Sequence, residues 1–578
     1  MLQLNRSYFL KRFRLDPYEL SMFMIVAAAT LVRFVLIYFN WPVTNSDEGN
    51  MGLLAMHVAY RGELPIFFYG LPYMGPLEGY IAAPLFHLFG VSLFTLRLGL
   101  LLLFALFLIC MYYLTRLLYA EKFALAIVVL LSFGSSLLIL LQLRAVGEYP
   151  EMELFAALIS VLASWLALSS HTFSRYAAKQ VKRRRVMVYG FLGLVVGLAL
   201  WVDFLILPFV LTAGLLLFLF CRGELRTWAG LSLLLGAVIG AFPLLLYNVT
   251  APLGQNSLII LLKIHHAGAN EMAAQHIPFL GQIIGALMVS LPLATGANPY
   301  CPLKSFPLFG PPTTSTLQCV VFPGSWGIGY IILGIIAAYL AVGIIWQHWS
   351  RSSAQNWSFE ERQIVKRQCA RLMLLVSAGI TLLLYLLSPI AAVIPDVVWR
   401  YLICMLIALP AVLWPLWNVK SRLMISSTRP ARVLFILRVG LLLLIASIFV
   451  MGTIRTFLEG VPEAQAAYAK DDTLVQDLLR VGATRIYSEY WTCNRLIFHS
   501  QEQIICSALD DQLKPGFDRY TPYRSIVRAA MHPAYVLPLN SVQATTFQRE
   551  MLSQYVHYRH YVFEGYDVYQ SDTNVGSP

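Results

Sequence analysis

The stretch Asn45-Ser46-Asp47-Glu48-Gly49 places two carboxylates side by side just past an apolar run, Ser21 to Asn40, that is long enough to cross a membrane. A carboxylate at that level can take a proton from an incoming hydroxyl or hold a metal ion. A like-charged neighbour and partial burial tune its pKa toward such work. The competing reading is local: Ser46 or Asp47 caps a helix over Asn50 to Tyr60. A second acidic pair, Glu148 and Glu151, brackets Pro150 one helical turn apart. It suits either a helix N-terminus or contact with a substrate.

Composition decides what must position these groups. Of 578 residues, 58% are hydrophobic and 12% charged, about half the charged share of a soluble domain. Mean hydropathy is +0.67. Apolar runs predict about eleven membrane helices, at 21–40, 93–118, 123–141, 151–170, 187–202, 204–221, 228–247, 326–346, 372–394, 399–418 and 436–456. Pro76 to Gly90 is too short to span and reads as an interfacial helix. Pro278 to Ala297 reads as membrane-associated within one large outer loop.

The net charge of +12 does not point to nucleic acid, because Lys and Arg gather in short stretches between apolar runs. Examples are Lys179 to Arg185, Arg222 and Arg226, and Arg362 to Arg371. Cytoplasmic loops carry that bias. It puts the N-terminus inside, the loops 41–92 and 248–325 outside, and the tail outside. The expected division is a membrane domain, 1–456, and a small extracytoplasmic α/β domain, 457–578. The location is a cell membrane, crossed many times. Four of the eight cysteines, Cys301, Cys319, Cys493 and Cys506, then lie outside, where disulfides persist. The expected pairs are Cys301–Cys319 and Cys493–Cys506, although four cysteines allow three connectivities.

After Asp47-Glu48 the order runs Gly75-Pro76-Leu77, Tyr80, Phe89-Gly90 and Leu96-Arg97-Leu98. Later come Gly147-Glu148-Tyr149-Pro150-Glu151 and Trp399-Arg400-Tyr401-Leu402 through Pro410. This plan resembles membrane glycosyltransferases of the GT-C superfamily, in the branch of protein O-mannosyltransferases, aminoarabinose lipid A transferases and their bacterial relatives. In the tail, Tyr487 to Trp491 and Arg519 to Tyr523 resemble the outer domain of some bacterial members.

The resemblance implies an inverting transfer of a monosaccharide from a polyprenyl-phosphate donor to an envelope acceptor: a lipid, a glycan or a protein. It implies Asp47 as the base, with Glu48 supporting it or binding the acceptor. Such a donor needs cations at its phosphate. Arg97 and Arg400, at outer helix ends, suit that role as well as snorkelling. Lys263, His265 and His266 could meet phosphate or acceptor, or be solvated loop residues. Tyr73, with Trp41 and Tyr69, could stack on a sugar. Arg33 lies deeper and reads as inward-facing and structural. A divalent metal is possible, but no ligand spacing indicates one, and no cofactor is expected. The sequence has neither a GxxxxGK phosphate loop nor a DxD motif. A secondary transporter and a non-catalytic lipid-binding subunit are the alternatives. Charges at helix ends rather than at the midplane disfavour the first.

Overall fold

The computed structural model describes residues 16–170, 179–252, 254–274, 279–297, 314–351, 357–388, 391, 394–418, 429–554 and 558–571. Its N-terminal part runs α1 (Pro17–Tyr38), α2 (Ser46–Met56), α3 (Leu77–Phe89), α4 (Leu93–Leu118), α5 (Glu121–Ser132), α6 (Ser136–Leu143), α7 (Tyr149–Leu168) and α8 (Lys179–Val202). Asp16 caps α1 in a reciprocal capping box with Glu19, and Pro17 takes the first helical position.

Eight helices among the described residues are long and apolar enough to cross a membrane. They are α1, α4, α7, α8, Val321–Ser350, Phe359–Leu386, Pro395–Trp417 and Arg432–Arg480. Two bent pairs raise the number to ten: α5 with α6 at 85°, and Trp228–Gly240 with Phe242–Thr250 at 62°. The span expected over 204–221 is a shorter apolar helix, Phe204–Phe220. Among the described residues eight to ten helices thus answer the expected count of about eleven, and the difference is local. Phe133 leaves helical geometry and Ser135 restarts it, its hydroxyl accepting from Leu138 N at 3.2 Å. Pro243 opens the second half of the other broken pair. Phe279–Ala294 is likewise shorter than a span and contains a π-turn.

Contacts between helix ends sort the bundle into two ends. At one, Arg116 pairs with Asp16 and Glu19, each at 2.9 Å, and with Glu121 at 2.7 Å. Arg371 reaches Leu118 O, Lys366 reaches Ser170, and Arg185 pairs with Glu224. The basic stretches therefore share this end. Arg33, fully buried, lies deeper. It donates to Ser132 O and to Gln142, which in turn donates to Glu153.

The tail sits at the other end. Its sheet has the order β2-β1-β3-β5-β4, from β1 (Arg485–Glu489), β2 (Ile505–Leu509), β3 (Ala534–Pro538), β4 (Tyr558–Phe563) and β5 (Tyr566–Ser571). β1 pairs parallel to β2 and β3, while β5 pairs antiparallel to β3 and β4. Cys493, on the helix Tyr490–His499, is disulfide-bonded to Cys506 on β2. Cys301 lies outside the described residues, as does the side chain of Cys319.

That tail helix packs against α2 at two glycines. A Cβ on Gly49 would strike the backbone of Asn494, and one on Gly52 would strike the ring of Phe498. Only glycine permits this approach, which brings the first loop of the membrane domain against the tail.

Candidate active site

Asn45, rather than Ser46 or Asp47, caps α2: its side chain accepts from Glu48 N at 2.9 Å. The helix therefore starts earlier than expected, and both carboxylates fall in its first turn with their side chains free for other contacts. They point to different partners.

Glu48 is fully buried and forks with Arg97, Oε1 to Nε at 2.7 Å and Oε2 to Nη2 at 2.5 Å. Arg97 spends its remaining reach on Asn40 O and Pro42 O, and Ala145 N donates to Glu48. Arg97 is itself fully buried, so the expected contact with a phosphate is replaced by an internal ion pair. The pair ties α2 to the start of α4 and to the loop before α7.

Asp47 faces the tail. Arg519 Nη2 donates to its Oδ1 at 2.6 Å, and the Tyr490 hydroxyl donates to the same oxygen. Arg519 Nε also donates to Tyr490 OH at 2.6 Å. Burial alone would lower the basicity of the Arg519 guanidinium, but Asp47 and Tyr490 more than offset it and raise its pKa. Both contacts recorded for Asp47 fall on Oδ1, and its side chain is 17% exposed. A partly open carboxylate anchored through one oxygen can take a proton at the other.

Glu148 occupies the position before α7 with φ +68°, a left-handed conformation costly for a residue with a Cβ. The helix does start here, with Glu151 in its first turn, but the Glu148 side chain makes no capping hydrogen bond. Its neighbours are Asp203, Tyr149, Tyr73 and Arg400, all within electrostatic reach. Burial, then the charge of Glu148, pushes Asp203 well above the usual carboxylate range. Burial also raises the Tyr73 hydroxyl, with Tyr401, Glu148 and Asp203 adding to it. Glu151 lies deeper and is fully buried, facing Glu78 of α3. Burial and then Glu151 raise Glu78, while Gly147 N donates to it at 2.8 Å.

Arg400 stacks over Tyr149 and Tyr401, with its guanidinium carbon 5.7 and 5.8 Å from the ring centroids. Its Nε is buried without a hydrogen-bond partner. Arg144 Nε is in the same state, although Arg144 Nη2 reaches Val43 O at 2.6 Å. Burial lowers Arg144 to about 10. Lys263, exposed on the helix Ser257–Ala274, donates to Gly254 O at 3.0 Å, and His266 is exposed on the same helix. The side chain of His265 lies outside the described residues. Trp41 is buried against α1, and Tyr69 joins His57 and Glu63 beside the tail.

The structure thus brings together Asp47, Glu148, Tyr73 and Arg400, turns Glu48 and Arg97 upon each other, and places Glu151 beneath. Sequence reasoning missed Arg144, Glu78 and the roles of Tyr490 and Arg519. The last two were visible only as parts of tail motifs.

No family model matches the sequence, and no curated protein matches it. Among solved structures the chain is similar to ArnT from Cupriavidus metallidurans bound to undecaprenyl phosphate, with TM-score 0.53 and 13% identity over 96% of this chain and 98% of that one. The apo state of the same protein gives TM-score 0.52 at 12% identity over the same shares. The likeness shows that the chain shares the fold of that protein.

Proposed function

We propose that this protein is a membrane glycosyltransferase. It moves a monosaccharide from a polyprenyl phosphate to a hydroxyl of an envelope acceptor, with inversion. The observation that carries the reading is Asp47: a partly open carboxylate held by one oxygen, beside arginine nitrogens without partners. The solved structure with the same fold holds undecaprenyl phosphate, which supports a lipid phosphate as part of the substrate.

In this reading Asp47 takes the proton of the acceptor hydroxyl. The acceptor oxygen forms a bond to the anomeric carbon from the face opposite the phosphate. The bond from that carbon to the phosphate oxygen breaks, and its electron pair leaves with the polyprenyl phosphate. Arg400 receives the charge that gathers on the leaving group. Glu148 and Tyr73 line the sugar side, and the Glu48–Arg97 pair holds the turn that carries Asp47. Residues 1–456 form the membrane domain and 457–578 the second domain. The basic end of the bundle faces the cytoplasm and the tail the outside, following the charge bias of cytoplasmic loops.

The test is transfer by the purified chain in lipid, with a panel of labelled polyprenyl-phosphate sugars and a crude envelope extract as acceptor. Wild type should give product and Asp47→Asn should not. No transfer by wild type, under conditions where a control enzyme works, would sink the proposal.

A further inference from the structure

Arg519 is a tail residue whose side chain is only 9% exposed, yet one of its three guanidinium nitrogens is unspent. Nη2 holds Asp47 and Nε holds Tyr490, but Nη1 is buried with no hydrogen-bond partner. Buried donors are nearly always satisfied, and an orphan on a charged group costs more than one on a neutral group. The plane of the guanidinium is fixed by three rings, Phe68, Phe517 and Tyr490, whose centroids lie 5.2 to 5.6 Å away. Thermal reorientation therefore does not offer Nη1 a ready alternative.

Charge around Asp47 points the same way. Glu48 is consumed by Arg97, and Glu148 lies beside Asp203. Arg400 and Arg144 lie within the field of Asp47, and each carries a buried nitrogen without a partner. Three arginines around Asp47 thus each keep a buried N–H group without a partner, which is the condition of an anion site without its anion.

We propose that Arg519 grips Asp47 with one nitrogen and a phosphate oxygen of the lipid-linked donor with another, so that the tail completes the catalytic centre. The inference rests on the donor reading given above. Its chemistry follows from the charge change in the reaction. The donor phosphate is a monoanionic diester and leaves as a monoester bearing one more negative charge. A guanidinium fixed against it binds the departing group more strongly than the ground state and so lowers the barrier. The same side chain keeps Asp47 aimed, linking base to leaving group through one planar cation.

The experiment measures binding of a labelled polyprenyl phosphate to the full chain in nanodiscs, for wild type, Arg519→Gln and Arg519→Lys. Polyprenol, inorganic phosphate and phosphatidylglycerol serve as competitors. Arg519→Gln should weaken binding of the polyprenyl phosphate at least about tenfold, the scale of one lost charge-assisted bond. Polyprenol, which lacks the phosphate, should bind both proteins equally. Arg519→Lys should bind with intermediate affinity but lose kcat more than KM, because one ammonium cannot serve both partners. If Arg519→Gln does not fold, as judged by its melting temperature, the lysine variant carries the test. Wild-type affinity with wild-type kcat in that protein overturns the proposal.

Equal binding by wild type and Arg519→Gln overturns it too, and leaves Arg519 as a tether for Asp47. Displacement by phosphatidylglycerol as effective as by polyprenyl phosphate overturns the donor assignment in favour of a phospholipid headgroup. If wild type binds no polyprenyl phosphate, the functional reading falls, and this inference falls with it.

Discussion

Glu48 and Arg97 meet as a two-pronged ion pair in which neither side chain touches solvent. Removing one partner leaves a buried charge uncompensated, at a cost of about 3–5 kcal/mol. Glu48→Gln and Arg97→Met should each lower the melting temperature sharply in detergent. The double variant should recover much of the loss, because well-packed neutral replacements of a buried pair are often tolerated. A double variant no more stable than the singles would show that the pair is not the unit.

Asp47 makes a different demand. Asp47→Asn keeps an oxygen for Tyr490 and Arg519 but cannot take a proton. Transfer should fall by about 10²–10⁴-fold, the usual worth of a general base. The melting temperature should change little. A fall in stability comparable to that of Glu48→Gln would instead assign Asp47 a structural role.

Gly49 controls whether the tail can reach the site at all. In Gly49→Val the new side chain meets the Asn494 backbone, so α2 and the Tyr490–His499 helix must separate. Arg519 and Tyr490 then withdraw from Asp47. We expect transfer to drop at least about tenfold, the worth of one 1.4 kcal/mol contact, with the membrane helices intact by circular dichroism. Unchanged transfer would mean that the tail contact is dispensable.

Acid should loosen the same interface through Glu502. Burial raises its pKa, but hydrogen bonds with His57 and Tyr523 and the charge of Arg61 prevail and hold it at about 2. An unfolded glutamate titrates near ~4.3. The stabilisation is therefore complete above that value and is lost as the pH falls through about 2. Glu502 is partly exposed, so solvent screening reduces the effect. Melting of wild type should steepen in its pH dependence below about pH 4, while Glu502→Gln should be flatter there. Parallel curves for the two proteins would remove Glu502 as the source.

The sequence made the bundle legible because hydropathy and basic stretches are local signals. Each expected span has a helix at its place, and even the break at Phe133-Gly134-Ser135 carries a visible glycine-serine signature. What it hid were partnerships across long separations. Arg97 at a helix start looks the same whether it faces a lipid phosphate or a glutamate 49 positions earlier. Arg519 lies 472 positions from Asp47, and nothing around either residue announces the other. The left-handed backbone at Glu148 was equally silent, since a glutamate before Tyr-Pro reads as an ordinary helix start.

The helix Arg432–Arg480 runs for 49 residues without a sharp bend. At 1.5 Å per residue it is about 70 Å long, more than twice a hydrocarbon core of about 30 Å. Its far end is tied to the tail by Asp471, 3.3 Å from Arg495 on the helix that also carries Tyr490. It is therefore a lever: one degree of tilt displaces its far end by about 1 Å. Because helices tilt to match the thickness of their bilayer, acyl-chain length should set how well Arg519 meets Asp47. Transfer rates that stay constant across vesicles of short, medium and long lipids would break that link. If they vary, the membrane acts as the instrument that tunes the site as well as its support.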